Sequence, residues 1–439
     1  MRLRLLSFSG RKSRPPNETS TCCLRWRAAK RWISIRRMVQ GRNDGKRDVR
    51  VAMVAVAGFC VFLNVYATQT LLPLFKEIFH AREWKLSLTV SATTIAIAIA
   101  SPVVGLLAER FGRRQTMVVS VALLTIPILL SATSRSLSQL IGWRFAEGLL
   151  MPGIIAVTMA YISEEWAAGG AAAVMSAYVA GNVLGGVTGR FLSGVFADWL
   201  SWRAAFVLLG SLNALGAIAI FLWLPHSHHG GHRVDFRSAL RDMRDHFKQP
   251  AMLATFAAGA WTLFSLVATF TYVTFYLNAP PFGLSTTALG SLFGVYLVGV
   301  VVTPICGKWI EHFGHRRSMI ASALFAAAGA ALTLVHALPM IVVGLALCST
   351  GVFVMQAAAS SYLGHIAGRA RSAAAGIYST FYYGGGTLGA TLPAIAWKIG
   401  GWSACVALVA CSLAIVGIIV FWWWRPVMPE IVEPVAVEA

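Results

Sequence analysis

Arg144, Glu147 and Arg190 are charged residues standing inside runs that are otherwise apolar. A charge at mid-membrane depth costs roughly 2.5–3.5 kcal/mol on insertion scales, so each needs a partner or water and marks a functional position by default. Arg144 and Glu147 are three residues apart and therefore share one helical face. They can form a static ion pair that orients their helix, or they can face a cavity. Arg190 lies near the end of its run, where it can snorkel outward or meet Glu147 or Asp198. Amides and aromatic hydroxyls are scattered through other runs. Asn64, Tyr66, Gln69, Asn182, Thr269, Tyr272, Tyr276, Gln356, Tyr378 and Tyr382 are candidate linings of a cavity, and Asn64, Gln69, Asn182, Tyr272, Gln356 and Tyr382 are selected as the substrate set. Such a mixture suits an amphipathic or weakly polar small-molecule substrate. For any one of these residues, helix packing competes with ligand binding.

A second pattern sits between the runs. Gly105-Leu-Leu-Ala-Glu109-Arg110-Phe-Gly112-Arg113-Arg114-Gln-Thr-Met117 recurs 202 positions later as Gly307-Lys-Trp-Ile-Glu311-His-Phe-Gly314-His-Arg316-Arg317-Ser-Met319. A charged turn repeated half a chain apart, each time between apolar runs, indicates two related halves. Gly105 lets helices approach, Gly112 permits a tight turn, and the arginines can meet anionic headgroups or helix ends. His312 and His315 replace Arg110 and Arg113 in the second copy, which is expected to hold less strongly. A third pattern is the stripe Gly181, Gly185 and Gly189, at i, i+4 and i+8, echoed by Gly385 and Gly389. It lets another helix come close, for static packing or for rigid halves that rock.

The elements that must position these residues follow from composition. The 439 residues are 57% hydrophobic and 12% charged, against about 25% charged in soluble domains. The apolar runs approach twenty residues, enough for a helix to cross about 30 Å of hydrocarbon. They are continuous, unlike the alternating strands of a barrel. Twelve spans are expected, over 51–73, 87–108, 116–133, 137–160, 171–195, 203–224, 251–278, 286–306, 318–336, 339–362, 373–396 and 402–424. The predicted fold is an all-α membrane protein with twelve transmembrane helices in two pseudo-symmetric six-helix bundles, 51–225 and 251–424, joined by a cytoplasmic loop over 226–250.

Charge sets the expected direction. With a cytoplasmic amino terminus, the even-numbered connections and the tail after the last span hold fourteen Lys or Arg, and the opposite connections hold six. Basic residues accumulate on the cytoplasmic side, so both termini are expected there. The net charge of +20 is concentrated in residues 1–50, which hold fifteen basic and three acidic residues. That placement argues for a disordered basic tail against the lipid bilayer and against nucleic acid. Met38 is an alternative start, and no cleavable signal peptide is expected. Residues 425–439 are read as a second cytoplasmic tail, and Trp422, Trp423, Trp424 and Arg425 as an interfacial anchor. The seven cysteines show neither disulfide nor metal spacing. His226, His228, His229 and His232 lack carboxylates at ligand spacing, so no metal is expected. Residues 235–248 could form an amphipathic surface helix.

The repeated glycine-rich basic turn resembles the signature loop of the major facilitator superfamily (MFS). Arg144-Phe-Ala-Glu147-Gly148 is similar to that superfamily's Arg-x-x-x-Gly motif, and Gly181-Asn182-Val-Leu-Gly185-Gly186-Val-Thr-Gly189-Arg190 to its antiporter motif, with Gly185-Gly186 where antiporters have Gly-Pro. Tyr161-Ile-Ser-Glu164-Glu165 and Ser201-Trp202-Arg203 resemble bacterial inner-membrane transporters of the arabinose-efflux-permease and drug:proton antiporter type. The resemblance implies a conformational latch at Gly105, Glu109, Arg110, Gly112, Arg113, Arg114, Gly307, Glu311, Gly314 and Arg316, with Glu109 and Arg113 as a gate-side charge pair. It also implies that Arg144 assists proton coupling, with Glu147 as the acid that changes protonation. No Asp or Glu lies between Val51 and Pro73, where some relatives carry a proton. The implied activity is secondary transport by alternating access, as efflux of a small organic solute, drug or sugar against protons; import and a non-transporting sensor are the alternatives. No nucleophile–base set, nucleotide loop or cofactor signature is present in the sequence, so neither an enzyme nor a cofactor is expected. The chain is expected to act as a monomer.

Overall fold

The computed structural model describes residues 49–166, 170–224, 244, 246–367 and 371–424. The basic tail before residue 49, His226, His228, His229 and His232, residues 235–243 and 245 of the expected surface helix, Arg425 and the carboxyl tail lie outside them. The described residues from Val51 to Trp424 form one compact unit. It is all-α among the described residues.

Twelve rods account for most of the described residues. The first six are α1 (Val49–Phe79), α2 (Glu83–Phe111), α3 (Arg113–Ala132), α4 (Leu137–Glu165), α5 (Ala171–Trp199) and α6 (Trp202–Trp223). The second six begin with α7 (Pro250–Asn278), then α8 in three pieces (Thr286–Leu292, Phe293–Val295 and Tyr296–Phe313), α9 (His315–Leu332) and α10 (Leu338–Ile366). They end with α11 (Arg371–Thr391) and α12, the second part of Pro393–Trp423. Gly400 and Gly401 are non-helical inside that last stretch, so residues 393–399 continue α11 and α12 begins at Trp402. Among the described residues nine stretches are long and apolar enough to cross a membrane. The rods not among the nine are α5, α9 and α11, whose sequences are rich in Gly, Ala, Ser, Thr and Tyr.

Large apolar side chains cover the outside as well as the inside. Leu215, Ile218 and Phe221 on α6, and Val301, Ile305 and Trp309 on α8, are all exposed. Outward apolar surface on that scale belongs in lipid. Trp422 and Trp423 are exposed at the end of α12, whereas Trp424 is buried and stacks on Tyr362 with ring centroids 4.1 Å apart. The anchor expected there is thus divided: one of its three tryptophans is a tertiary contact.

The glycine stripes fasten helices within each half. Gly181, Gly185 and Gly189 of α5 lie against the backbone of Ala55, Phe59 and Leu63 on α1, with no room for a Cβ. Gly385 and Gly389 of α11 lie in the same way against Ala260 and Phe264 of α7. The matching pairs, α1 with α5 and α7 with α11, express the internal repeat in three dimensions.

Contacts between halves run along α2 with α11, α5 with the start of α8, and the last third of α1 with α7 and α8. Thr94 and Thr387 share a hydrogen bond of 2.9 Å, and Thr380 Oγ1 donates to Ala98 O at 3.0 Å. The α1, α5 and α8 contacts all lie toward one end of the molecule, the far face, where α1, α5 and α7 end. There the Asp198 carboxylate accepts from Thr286 Oγ1 and, at 2.7 Å, from Thr287 N at the start of α8. Burial alone would raise the Asp198 carboxyl, but these donors hold it below the usual aspartate range. At the opposite, basic face, which carries residues 110–114 and 314–317, no extensive helix packing joins α4 or α5 to α10 or α11 among the described residues.

Candidate substrate site between the halves

Residues 49–65 of α1 are helical, and then the chain unwinds. Tyr66 sits at φ −120°, ψ 17°, and Ala67–Leu71 form a 3-10 turn before Leu72–Phe79 resumes the α-helix, with Pro73 in its first turn. Gln69 N bonds Tyr66 O, so the Val65 carbonyl loses its usual helical donor at the break. Arg144 bonds the carbonyls there. Its Nη2 donates to Asn64 O and Val65 O, both at 2.7 Å, and its Nε to Thr89 O at 3.3 Å. Its Nη1 pairs with Glu147 Oε2, and Ser131 Oγ donates to Glu147 Oε1 at 3.0 Å. Both charged side chains are fully buried. The pair thus ties α4 to α1, α2 and α3 and closes the hydrogen bonding of a broken helix, which is the condition for irregular backbone at membrane depth.

Arg190 meets neither Glu147 nor Asp198, the two partners considered for it from sequence. It is 4% exposed and turned inward. Its Nε donates to Gln69 Oε1 at 2.9 Å and its Nη1 to Gly186 O at 2.7 Å. Three ring faces surround the guanidinium, with Cζ 4.9 Å from the centroid of Tyr66, 4.5 Å from Phe293 and 5.3 Å from Tyr296. Gln69 Nε2 continues across the halves to Thr271 Oγ1 of α7 at 3.0 Å. Thr70 Oγ1 donates to Arg190 O at 3.2 Å. No carboxylate pairs with Arg190 among the described residues. Withdrawing an ion from water costs several kcal/mol. Cation–π contacts in a dry site return about 2 kcal/mol or more, and two charge-assisted hydrogen bonds add to that.

The other sequence candidates divide between this layer and packing roles. Gln356 accepts from Tyr378 Oη at 2.8 Å, and Tyr378 stacks on Tyr382 at 5.9 Å between centroids. Gln356 and Tyr382 are both partly exposed. Asn64 is buried and donates to Cys60 O within its own helix. Tyr272 is buried in the second half, with its hydroxyl on Ala390 O at 3.1 Å and its ring near Phe275 and Trp397. Asn182 is half-buried on α5 beside Gly58. Thr269 bonds Ser265 O, and Tyr276 stacks on Trp402. Phe293, Tyr296 and Thr271 were not singled out by sequence. The signal available, aromatics and hydroxyls in apolar helices, is common to many residues that only pack.

The two signature turns share a backbone. Gly112 adopts φ 90°, ψ 142° and Gly314 adopts φ 81°, ψ 152°, a region that strains any residue with a Cβ. Arg113 makes a two-pronged pair with Glu164 at the end of α4, its Nη2 2.7 Å from Oε1 and its Nε 3.1 Å from Oε2. Arg114 caps the end of α6 through Leu224 O at 2.6 Å and Phe221 O at 2.9 Å. In the second half His315 bonds Ser361 at 2.9 Å and packs on Tyr362 and His365, and Arg316 lies over the Phe421 ring at 4.4 Å. Arg110 lies over Phe111 at 5.6 Å, and Gly307 is half-buried in α8. The side chains of Glu109 and Glu311, with the surroundings of Gly105, lie outside the described residues, and so does the expected pairing of Glu109 with Arg113; among the described residues Arg113 pairs with Glu164.

Comparison with known proteins agrees with this geometry. YnfM, named as an inner membrane transport protein of Escherichia coli (strain K12), is 31% identical over 366 residues, covering 82% of this chain and 86% of that protein. YybF, an MFS-type transporter of Bacillus subtilis (strain 168), is 29% identical over 370 residues, covering 84% and 91%. The solved nucleoside transporter NupG superposes with a TM-score of 0.71 at 13% identity, over 85% of this chain and all of that one. A bacterial homologue of the lysosomal transporter Spinster, solved inward-facing and occupied, gives 0.67 at 14% identity, over 85% and 96%. The family model described as Major Facilitator Superfamily matches residues 54–301 and 279–439. With the repeated turns, the paired helices and these matches together, the chain belongs to the Major Facilitator Superfamily and is a multi-pass membrane transporter.

Proposed function

We propose that the chain is a secondary transporter of the bacterial inner membrane that exports a small organic solute against protons. The observation that carries this reading is the one-sided closure. The halves meet at the far face through Asp198, Thr286 and Thr287, while among the described residues α4 and α5 pack on α10 and α11 at the basic face far less than α5 packs on α8 at the far face. A two-half protein sealed at one end has a counterpart state sealed at the other, and exchange between them carries solute across. The basic face, with Arg113, Arg114, Arg316 and Arg317, is the cytoplasmic one in this reading, and both termini lie on that side. The chain works as a monomer, because each half finds its counterpart within the same polypeptide.

Glu147 is the proton-carrying group in this proposal. Protonation would release its bond to Arg144, the residue that holds the carbonyls at the α1 break. Proton uptake would thereby loosen α1 beside Gln69 and Arg190. The test uses purified protein in vesicles with pyranine trapped inside. Solutes from a panel are added under an imposed pH gradient, and proton movement is followed for the parent and for Glu147→Gln. The proposal expects solute-dependent proton flux in the parent that Glu147→Gln abolishes. Unchanged flux and unchanged pH dependence in Glu147→Gln would remove Glu147 from the coupling role, and solute flux that ignores the pH gradient would remove the proton.

A further inference from the structure

Two arginines are enclosed by the helices, and they differ in one respect. Arg144 has a carboxylate, Glu147, and all three of its nitrogens are engaged. Among the described residues Arg190 has no carboxylate partner, and its Nη2 makes no hydrogen bond. Beside it the Tyr66 hydroxyl is buried and also without a partner. A buried cation with an open N–H edge, next to an orphaned O–H donor, is a donor set lacking its acceptor.

Aromatic faces define what surrounds that acceptor. Tyr66, Phe293 and Tyr296 flank the guanidinium from α1 and α8. The layer lies between the halves, because Gln69, which holds Arg190, is itself bonded to Thr271 of α7. A purely mechanical lock is not needed here. Asp198 already joins α5 to α8 eight residues further along the same helix. A lock would also be better served by a carboxylate than by ring faces.

We propose that the transported solute is a small organic oxyanion, whose carboxylate or phosphate accepts from Arg190 Nη2 and the Tyr66 hydroxyl and whose apolar or aromatic body lies against Tyr66, Phe293 and Tyr296. The inference rests on the transport reading in placing the solute between the halves. Gln69 holds the guanidinium in register while no solute is bound. When α5 and α8 part, Arg190 loses two of its three ring faces and turns to the anion. Recognition by a fork of donors distinguishes an oxyanion from its neutral amide, because the amide offers one acceptor and no charge.

The experiment uses four probes matched in size: benzoate, phenyl phosphate, benzamide and benzylamine. Each is titrated into the purified full chain in detergent, with intrinsic fluorescence and the thermal midpoint as readouts. The parent is expected to bind benzoate or phenyl phosphate at least about tenfold more tightly than benzamide or benzylamine, and the stronger of the two anions identifies carboxylate or phosphate. Arg190→Gln removes that preference. Tyr66→Phe, which keeps the ring, weakens the anion about three- to tenfold and benzamide less, so the preference narrows. The proposal is overturned by equal binding of benzamide, by preference for benzylamine, by no anion binding, or by Arg190→Gln or Tyr66→Phe variants that keep the parent's discrimination. Anion-selective binding without flux in vesicles would sink the transport reading alone. Flux of neutral solutes by a protein indifferent to anions would sink this inference alone.

Discussion

α1 and α7 are counterparts in the internal repeat, yet one is broken and the other is not. α7 runs unbroken from Pro250 to Asn278, with its backbone bonds satisfied inside the helix. α1 unwinds at Tyr66, and the carbonyls exposed there are met by Arg144. The helix packed in the equivalent place, α10, contains no Asp, Glu, Lys or Arg anywhere in its length. The difference teaches what the buried charges are for. Breaking a helix at membrane depth requires donors from elsewhere, a cation is the strongest such donor, and the cation then requires Glu147. The broken rod places Tyr66 and Gln69 at Arg190, so the polar groups of this layer come mostly from the first half, while the second contributes rings, Thr271 and Gln356.

The largest effect expected from disturbing this asymmetry is at Arg144. Arg144→Gln leaves Glu147 buried without its partner and is expected to lower stability by about 3–5 kcal/mol, read as a large fall in the unfolding midpoint in detergent. Replacing both charges, Arg144→Leu with Glu147→Leu, is expected to be milder than Arg144→Leu alone, since no unpaired ion remains. If the double variant is as damaged as the single one, the carbonyls of α1 rather than the ion pair dominate.

The glycine turns sharpen the comparison by being alike. Gly112→Ala and Gly314→Ala are each expected to cost about 1–3 kcal/mol, because both backbones are in a region closed to a Cβ. Unequal losses would show that the halves do not depend on the repeated turn equally. The side chains around the turns should then separate the halves. Arg113→Gln is expected to cost about 0.5–1 kcal/mol, and that loss should shrink at high salt. His315→Ala should show a smaller loss, because the hydrogen bond to Ser361 and the contact with the Tyr362 ring are weaker than a two-pronged ion pair. The smallest effect concerns pH. Asp198 is held below the ordinary aspartate value of 3.8, so its contribution to far-face closure is complete above that pH and fades only as pH falls through its lower folded value. Spin labels on α5 and α8 in the Glu147→Gln variant, which takes up no proton there, should therefore report no opening between neutrality and mild acid.

Much of this architecture was legible in the sequence. The apolar runs gave twelve rods, the repeated turn gave two halves, and Arg144 with Glu147 stood out because charges in such runs need a reason. The break in α1 was not foreseen, although Pro73 and the Thr-Gln-Thr stretch before it weaken a continuous helix. The facing of individual residues was not legible either. A helix apolar on every side has no stripe that points to its interior. So Asn64 and Tyr272, which pack, looked the same as Gln69, which bonds across the halves. The cage around Arg190 joins residues more than one hundred positions apart, and Arg113 pairs with Glu164, fifty-one positions away. Neither relation has a local pattern.

The central claim is that the halves are sealed at the far face and must part there for solute to cross. Cysteines replacing Asp198 and Thr287, in a chain with Cys22, Cys23 and Cys411 changed to serine, can be joined by a short bis-maleimide and assayed for flux in vesicles. The account predicts rapid cross-linking and loss of flux that returns when a cleavable linker is cut. Full flux through the cross-linked protein would contradict it.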